Sequence, residues 1–144
     1  MRTYLGRGLA QGTALVLLLD THAFVWLASD QEKLPKQAMA LIEESAPALF
    51  LSSISALEIG ILVKRKRLKL PKPPAEFLEI ALNHHGIEEI TIDGEIALAS
   101  VTLPDHHDDP FDRIILATAL LQGLAVLSKD QKFRQYEAVT TQWD

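Results

Sequence analysis

No cysteine occurs in the 144 residues. That removes any disulfide framework and any thiolate zinc site, leaves metal binding to oxygen or imidazole, and suits a reducing cytoplasm. An excess of positive charge is also lacking: the formal net charge is −5, which argues against nucleic-acid binding by bulk attraction. No apolar run is long enough for a bilayer, because the run at residues 14–19 stops at Asp20. The same acid breaks a superficial likeness to a signal peptide behind Arg2 and Arg7, and no small-residue cleavage site comes after it, so neither export nor a membrane span is expected. Internal repeats and low-complexity segments are absent. The length suits one domain that buries roughly 68 to 70% of its unfolded surface.

What is present begins at residues 15–19, five large aliphatic side chains in a row that close on a carboxylate. A run so apolar and without helical periodicity reads as a strand covered on both faces, in the middle of a parallel sheet. Residues 48–51 and 124–127 repeat the arrangement and lead to Glu58 and Asp130. Residues 87–92 are strand-like, and residues 138–141 suit an edge strand. Helices are expected at 23–27, from Pro35 until Pro47 stops it, from Ser53 into a basic segment broken by Pro71, at 75–84 with Gly86 as cap, at 95–103, and at 110–122 with Gly123 behind it. A last turn is expected at 131–136. Strands alternating with helices imply an α/β fold with a mainly parallel sheet of four or five strands between helical layers. Residues 1–13, with three glycines and no periodicity, read as a flexible amino-terminal tail, and 14–144 as the single domain.

In such a sheet, strand ends and helix starts meet at the edge where ligands bind. Asp20, Glu58, Asp112 and Asp130 all belong at that edge. Each has a local role open to it as well. Ser55 and Glu58 fit a capping box, Asp109 caps the helix carrying Asp112, and Asp20 and Asp130 each stand where they can cap the next helix. Singly, capping is the better reading. Jointly, four crowded carboxylates repel one another unless a cation neutralises them. Oxygen donors without cysteine favour Mg2+ or Mn2+, ions that also hold substrate phosphates and support phosphodiester hydrolysis.

The histidines offer no ligand spacing. His106 and His107 are read as loop residues, His84 and His85 as partners of a helix dipole, and His22 as packing or capping near Asp20. Six of the fourteen Lys and Arg residues, Lys64, Arg65, Lys66, Arg67, Lys69 and Lys72, form a local basic patch. It fits a solvated helix end or a surface for substrate or partner equally well.

Leu18-Leu19-Asp20-Thr21-His22-Ala23, residues 52–58, Leu103-Pro104 with His107, Asp109-Pro110-Phe111-Asp112-Arg113 and Leu127-Ser128-Lys129-Asp130 together resemble a PIN-domain ribonuclease, most nearly the VapC toxins of toxin–antitoxin pairs. The likeness runs over about residues 15–140. It implies a three-layer α/β/α sandwich and a cytoplasmic Mg2+- or Mn2+-dependent endoribonuclease that forms homodimers. It also implies a cognate antitoxin that lays a segment over an apolar groove, with Trp26 among the contacts. By this likeness Asp20, Glu58, Asp112 and Asp130 make the acidic site, with Asp20 and Asp112 as direct metal ligands and Glu58 and Asp130 acting through water or at a second metal. Thr21 and Ser128 take supporting places that orient water, and Arg113 pairs with a site acid or meets substrate phosphate. Asp108 stands where the family often has a basic residue, and Lys129 where it usually has a small one.

Two alternatives stay open at this level. A receiver-like signalling domain controlled by phosphorylation wants an adjacent acid pair after the first strand, whereas Asp20 is followed by Thr21 and His22. A catalytically inactive PIN-fold binding module is disfavoured by the presence of all four acids.

Overall fold

Leu17, Leu18 and Leu19 form β1 (Leu17–Leu19), and none of the three exposes any surface. The computed structural model describes residues 16–45, 48–136 and 141–143. The expected tail, Ala14, Leu15, Pro47 and most of the expected edge strand lie outside the described residues. β1 pairs with β2 (Leu49–Ser52) on one side and β4 (Ala125–Leu127) on the other. Beyond them lie β3 (Ile87–Ile90) and β5 (Thr141–Gln142), giving the order β3-β2-β1-β4-β5 with every pair parallel. Six helices accompany the strands among the described residues: α1 (Thr21–Ser29), α2 (Lys36–Ser45), α3 (Ile54–Lys64), α4 (Pro74–His85), α5 (Gly94–Thr102) and α6 (Pro110–Gln122).

The alternation of side chains along each strand divides the interior in two. Leu17, Leu19, Leu49, Leu51 and Leu127 pack with Phe24 and Leu27 of α1, Ile42 of α2 and Phe77 of α4. Leu18, Phe50 and Val126 pack on the opposite face with Ile96 of α5 and Ile115 and Leu116 of α6. Helix α3 serves both, through Ile59 and Ile54 respectively. The result is the expected α/β/α sandwich. Each wholly buried leucine of β1 stabilises it by about 1.5 to 3 kcal/mol.

Three local expectations are corrected. Strand β3 stops at Ile90, because the Ile92 N–H turns to the Ser53 hydroxyl at 3.2 Å and Asp93 caps α5. Helix α3 ends at Lys64, well before Pro71, in a Schellman turn: Lys66 adopts φ 59°, its N–H donates to the Val63 carbonyl, and the Arg67 N–H donates to that of Leu62. Nor do Ser55 and Glu58 make a capping box. Ser53 caps α3 without a side-chain bond, Ser55 lies inside the helix, and Glu58 points to Thr21.

The topology creates the site. The chain leaves β1 for β2 on one side and later returns to β4 on the other, so β1 and β4 flank a switch point, with a crevice beyond their carboxyl ends. The Asp20 N–H donates to the Leu127 carbonyl at 3.1 Å, which ties the two strand ends together.

Candidate functional site

Asp20 follows β1 and caps α1, its Oδ1 accepting the Ala23 N–H at 2.8 Å. It is buried, and burial pushes its carboxyl above the usual range. The Ser128 hydroxyl, the Ala23 N–H and the charge of His22 oppose that shift, while the charge of Glu58 adds to it. Thr21, the next residue, donates to Glu58 Oε1 at 2.6 Å and lies 2.9 Å from the Ser55 hydroxyl. Because the one Thr21 proton goes to Glu58, Ser55 must donate to Thr21. A three-member chain thus fixes Glu58, on the second turn of α3, toward the end of β1.

Asp112 enters from a third element. Asp109 caps α6 by accepting from the N–H groups of Phe111 and Asp112, and Pro110 occupies the first turn, where its missing N–H does no harm. This start fixes Asp112 in the first turn, facing the crevice. Its carboxyl is pushed up to about 8, by burial first and then by the charges of Asp109, Glu58, Asp20 and Asp130. Asp130, beyond β4, caps a short 3-10 turn (Gln131–Gln135) through the Lys132 N–H, and its own N–H donates to the Ser128 hydroxyl. All four sequence-predicted acids therefore interact, brought together from β1, α3, α6 and the loop after β4.

His107 joins them, contrary to its reading as an ordinary loop residue. It is 7% exposed, and its Nε2 lies 2.8 Å from Asp112 Oδ2 and 3.1 Å from Asp130 Oδ2. Its Nδ1 accepts the Asp109 N–H at 3.3 Å, and its ring makes a T-shaped contact with Phe133. One ligand atom each from His107, Asp112 and Asp130 lies within 4.8 Å of the others, so this corner of the cluster could hold a metal ion. The sequence signals for His107 are its place two residues before the cap Asp109 and its part in the family resemblance, neither of which gives it a task. Nothing in the spacing shows that the loop folds back on Asp130.

Arg113 is corrected in the other direction. Its Nε donates to the Ser100 carbonyl, Nη1 to those of Pro104 and His107, and Nη2 to those of Val101 and Leu103. Those are all five N–H donors that a guanidinium has. Its ion pair, at 3.6 Å, is with the exposed Asp105. Arg113 therefore fastens the loop between α5 and α6, and its ion pair is with Asp105 rather than with a site acid. Trp26 packs against Trp143 and His22, with the Lys129 ammonium 5.7 Å from its ring centre. The basic patch is exposed, Lys72 also pairing with Glu76, and it begins at the far end of α3, with Lys64 about 9 Å along the axis from Glu58. His84 and His85 lie in the last turn of α4, as expected.

Residues 17–139 match the PIN domain family. Ribonuclease VapC22 of Mycobacterium tuberculosis is 31% identical over 121 residues, which are 83% of this chain and 91% of that protein. Among solved structures, the fold resembles VapBC2 from Rickettsia felis bound to a DNA fragment from its promoter. That likeness has a TM-score of 0.66 at 17% identity and covers 90% of this chain and 100% of the other. It also resembles a toxin–antitoxin complex from Klebsiella pneumoniae, with a TM-score of 0.62 at 25% identity over 87% and 96% of the two chains.

Proposed function

The chain belongs to the PIN-domain family and is a nuclease of the VapC toxin type, and from that premise we propose that it hydrolyses RNA phosphodiester bonds with Mg2+ or Mn2+ held by Asp20, Glu58, Asp112 and Asp130. The observation that carries this reading is the displacement of Asp112 to about 8 by burial and four neighbouring carboxylates. Burial and neighbouring negative charge make Asp112 keep a proton at neutral pH, and a bound cation would relieve the same repulsion. The donors fit a hard divalent ion, being carboxylate oxygens drawn from four separate elements. When bound, such an ion neutralises the cluster and polarises a phosphodiester oxygen.

In this reading Asp20 and Asp112 are the direct ligands, and Glu58 and Asp130 act through water or at a second ion. Thr21 keeps Glu58 in one orientation, and Ser128 bonds the Asp130 backbone and the Asp20 carboxylate. Arg113 is committed to its loop, so its guanidinium is not the group that meets a substrate phosphate. The basic patch lies too far along α3 for the scissile bond and suits RNA flanks or a partner. The toxin works in the cytoplasm as a homodimer, with 14–144 as one nuclease domain and 1–13 as a tail. A cognate antitoxin, like those in the complexes that the fold resembles, covers the surface beside Trp26. Among the described residues no helix is long and apolar enough to cross a membrane.

The test is cleavage of mixed RNAs with and without Mg2+ or Mn2+. Asp20→Asn and Asp112→Asn are expected to abolish cleavage while circular dichroism shows both folded. Normal cleavage by both variants would overturn the assignment.

A further inference from the structure

We propose that His107 is a positioning residue of the acidic site, its Nε2–H bridging Asp112 and Asp130, with Arg113 holding the loop that presents it. The inference rests on the nuclease reading and adds a residue and a task to it.

Asp112 stands on α6 and Asp130 in the loop after β4, and their Oδ2 atoms converge on one imidazole nitrogen at 2.8 and 3.1 Å. The other ring nitrogen decides what that nitrogen can do. Nδ1 accepts the Asp109 N–H, so the ring proton of the neutral imidazole sits on Nε2. A protonated nitrogen has no lone pair for a metal. Close as the three groups lie, the imidazole therefore serves the carboxylates and not the ion.

The ring is also held. It is buried, it makes a T-shaped contact with Phe133, and its own carbonyl accepts from Arg113 Nη1. The Pro104 carbonyl, in the same loop, accepts from both Arg113 and the Tyr136 hydroxyl. A guanidinium with five carbonyl partners thus carries its order through the loop to the ring, and through the ring to two acids on different elements. Groups that hold metal ligands from behind in this way typically change metal affinity 10- to 100-fold when removed.

Two measurements test this. In the metal-free protein with 15N-labelled histidine, long-range 1H–15N spectra are expected to show His107 with a protonated Nε2 and a bare Nδ1; a proton on Nδ1 alone overturns the bridge. In Mn2+ titrations followed by electron paramagnetic resonance, His107→Ala is expected to raise the dissociation constant by about 10- to 100-fold. His107→Gln, whose amide N–H can occupy a similar place, should recover most of the loss. Arg113→Lys, confirmed as folded, should weaken binding in the same direction. An unchanged constant in His107→Ala overturns the proposal, as does an imidazole nitrogen coupling in pulsed spectra of Mn2+-loaded wild type. Failure of the wild type to bind Mn2+ at all overturns the metal reading itself, and the metal-free spectrum then still decides the bridge.

Discussion

Asp112 and Arg113 are consecutive residues of α6 with opposite surroundings. Arg113 finds an acceptor for every donor it has, and all five acceptors are neutral carbonyls, two in the last turn of α5 and three in the loop behind it. Asp112 is turned about 100° away by the helix and meets burial and four carboxylates of its own sign, with one shared imidazole N–H among its contacts. The first arrangement is complete without any ligand, and the second is not. Satisfied charge here organises backbone, and crowded like charge marks the proposed cation site.

Three experiments would break or sharpen that contrast. The largest stability effect belongs to the satisfied partner. Arg113→Ala strips five carbonyls of their donor and should lower stability by about 3 kcal/mol in urea denaturation. Arg113→Lys should recover little, since a point charge cannot serve a five-way fork. A negligible loss would return Arg113 to a substrate role.

The second experiment addresses the unsatisfied partner. At a metal concentration one hundred times the dissociation constant, Mg2+ or Mn2+ should stabilise the wild type by about 2.7 kcal/mol in thermal melts, and Asp112→Asn by less. The sign in EDTA comes from the raised carboxyl. Between the ordinary pKa of 3.8 and about 8 the folded state holds a proton on Asp112 that the unfolded state has released. Stability should therefore fall as pH rises through that window and level off above it. Asp112→Asn should flatten this slope. Equal slopes and equal metal responses in the two proteins would remove Asp112 from the site.

The smallest effect tests a backbone strain remote from both residues. Lys66 holds a left-handed conformation that glycine adopts freely. Lys66→Gly should therefore raise the urea midpoint by the equivalent of about 1 kcal/mol with metal binding unchanged.

The sheet and the four acids were legible because their signals are local. Leu17, Leu18 and Leu19 announce a buried strand by composition, Gly86 and Gly123 mark helix ends, Asp20 and Asp130 stand just past strands, Asp112 in a first helical turn, and Glu58 one turn into its helix. The Ser55 and Glu58 pattern misled because a capping box and an acid borne inside the helix share the same spacing, and only Thr21, far away in sequence, tells them apart. The α3 terminus was hidden because a lysine occupies the left-handed position where glycine is the usual sign. His107 and Arg113 could not be read at all from spacing. The partners of one are carboxylates on separate elements, and those of the other are carbonyls, which every residue has.

The pairing of β1 with β4 also sets an order of events. Leu18 pairs with Phe50 on one side and with Val126 on the other, so one edge of the central strand stays open until the distant end of the chain arrives. Pairings of such long range form late in folding, because the loop must close before the contact repays it. A nascent chain that has emerged only through β3 holds Asp20 and Glu58 but lacks Asp112, Asp130 and the strand that completes the crevice. The proposed site is consequently incomplete until α6 and β4 have been made and β4 has joined the sheet.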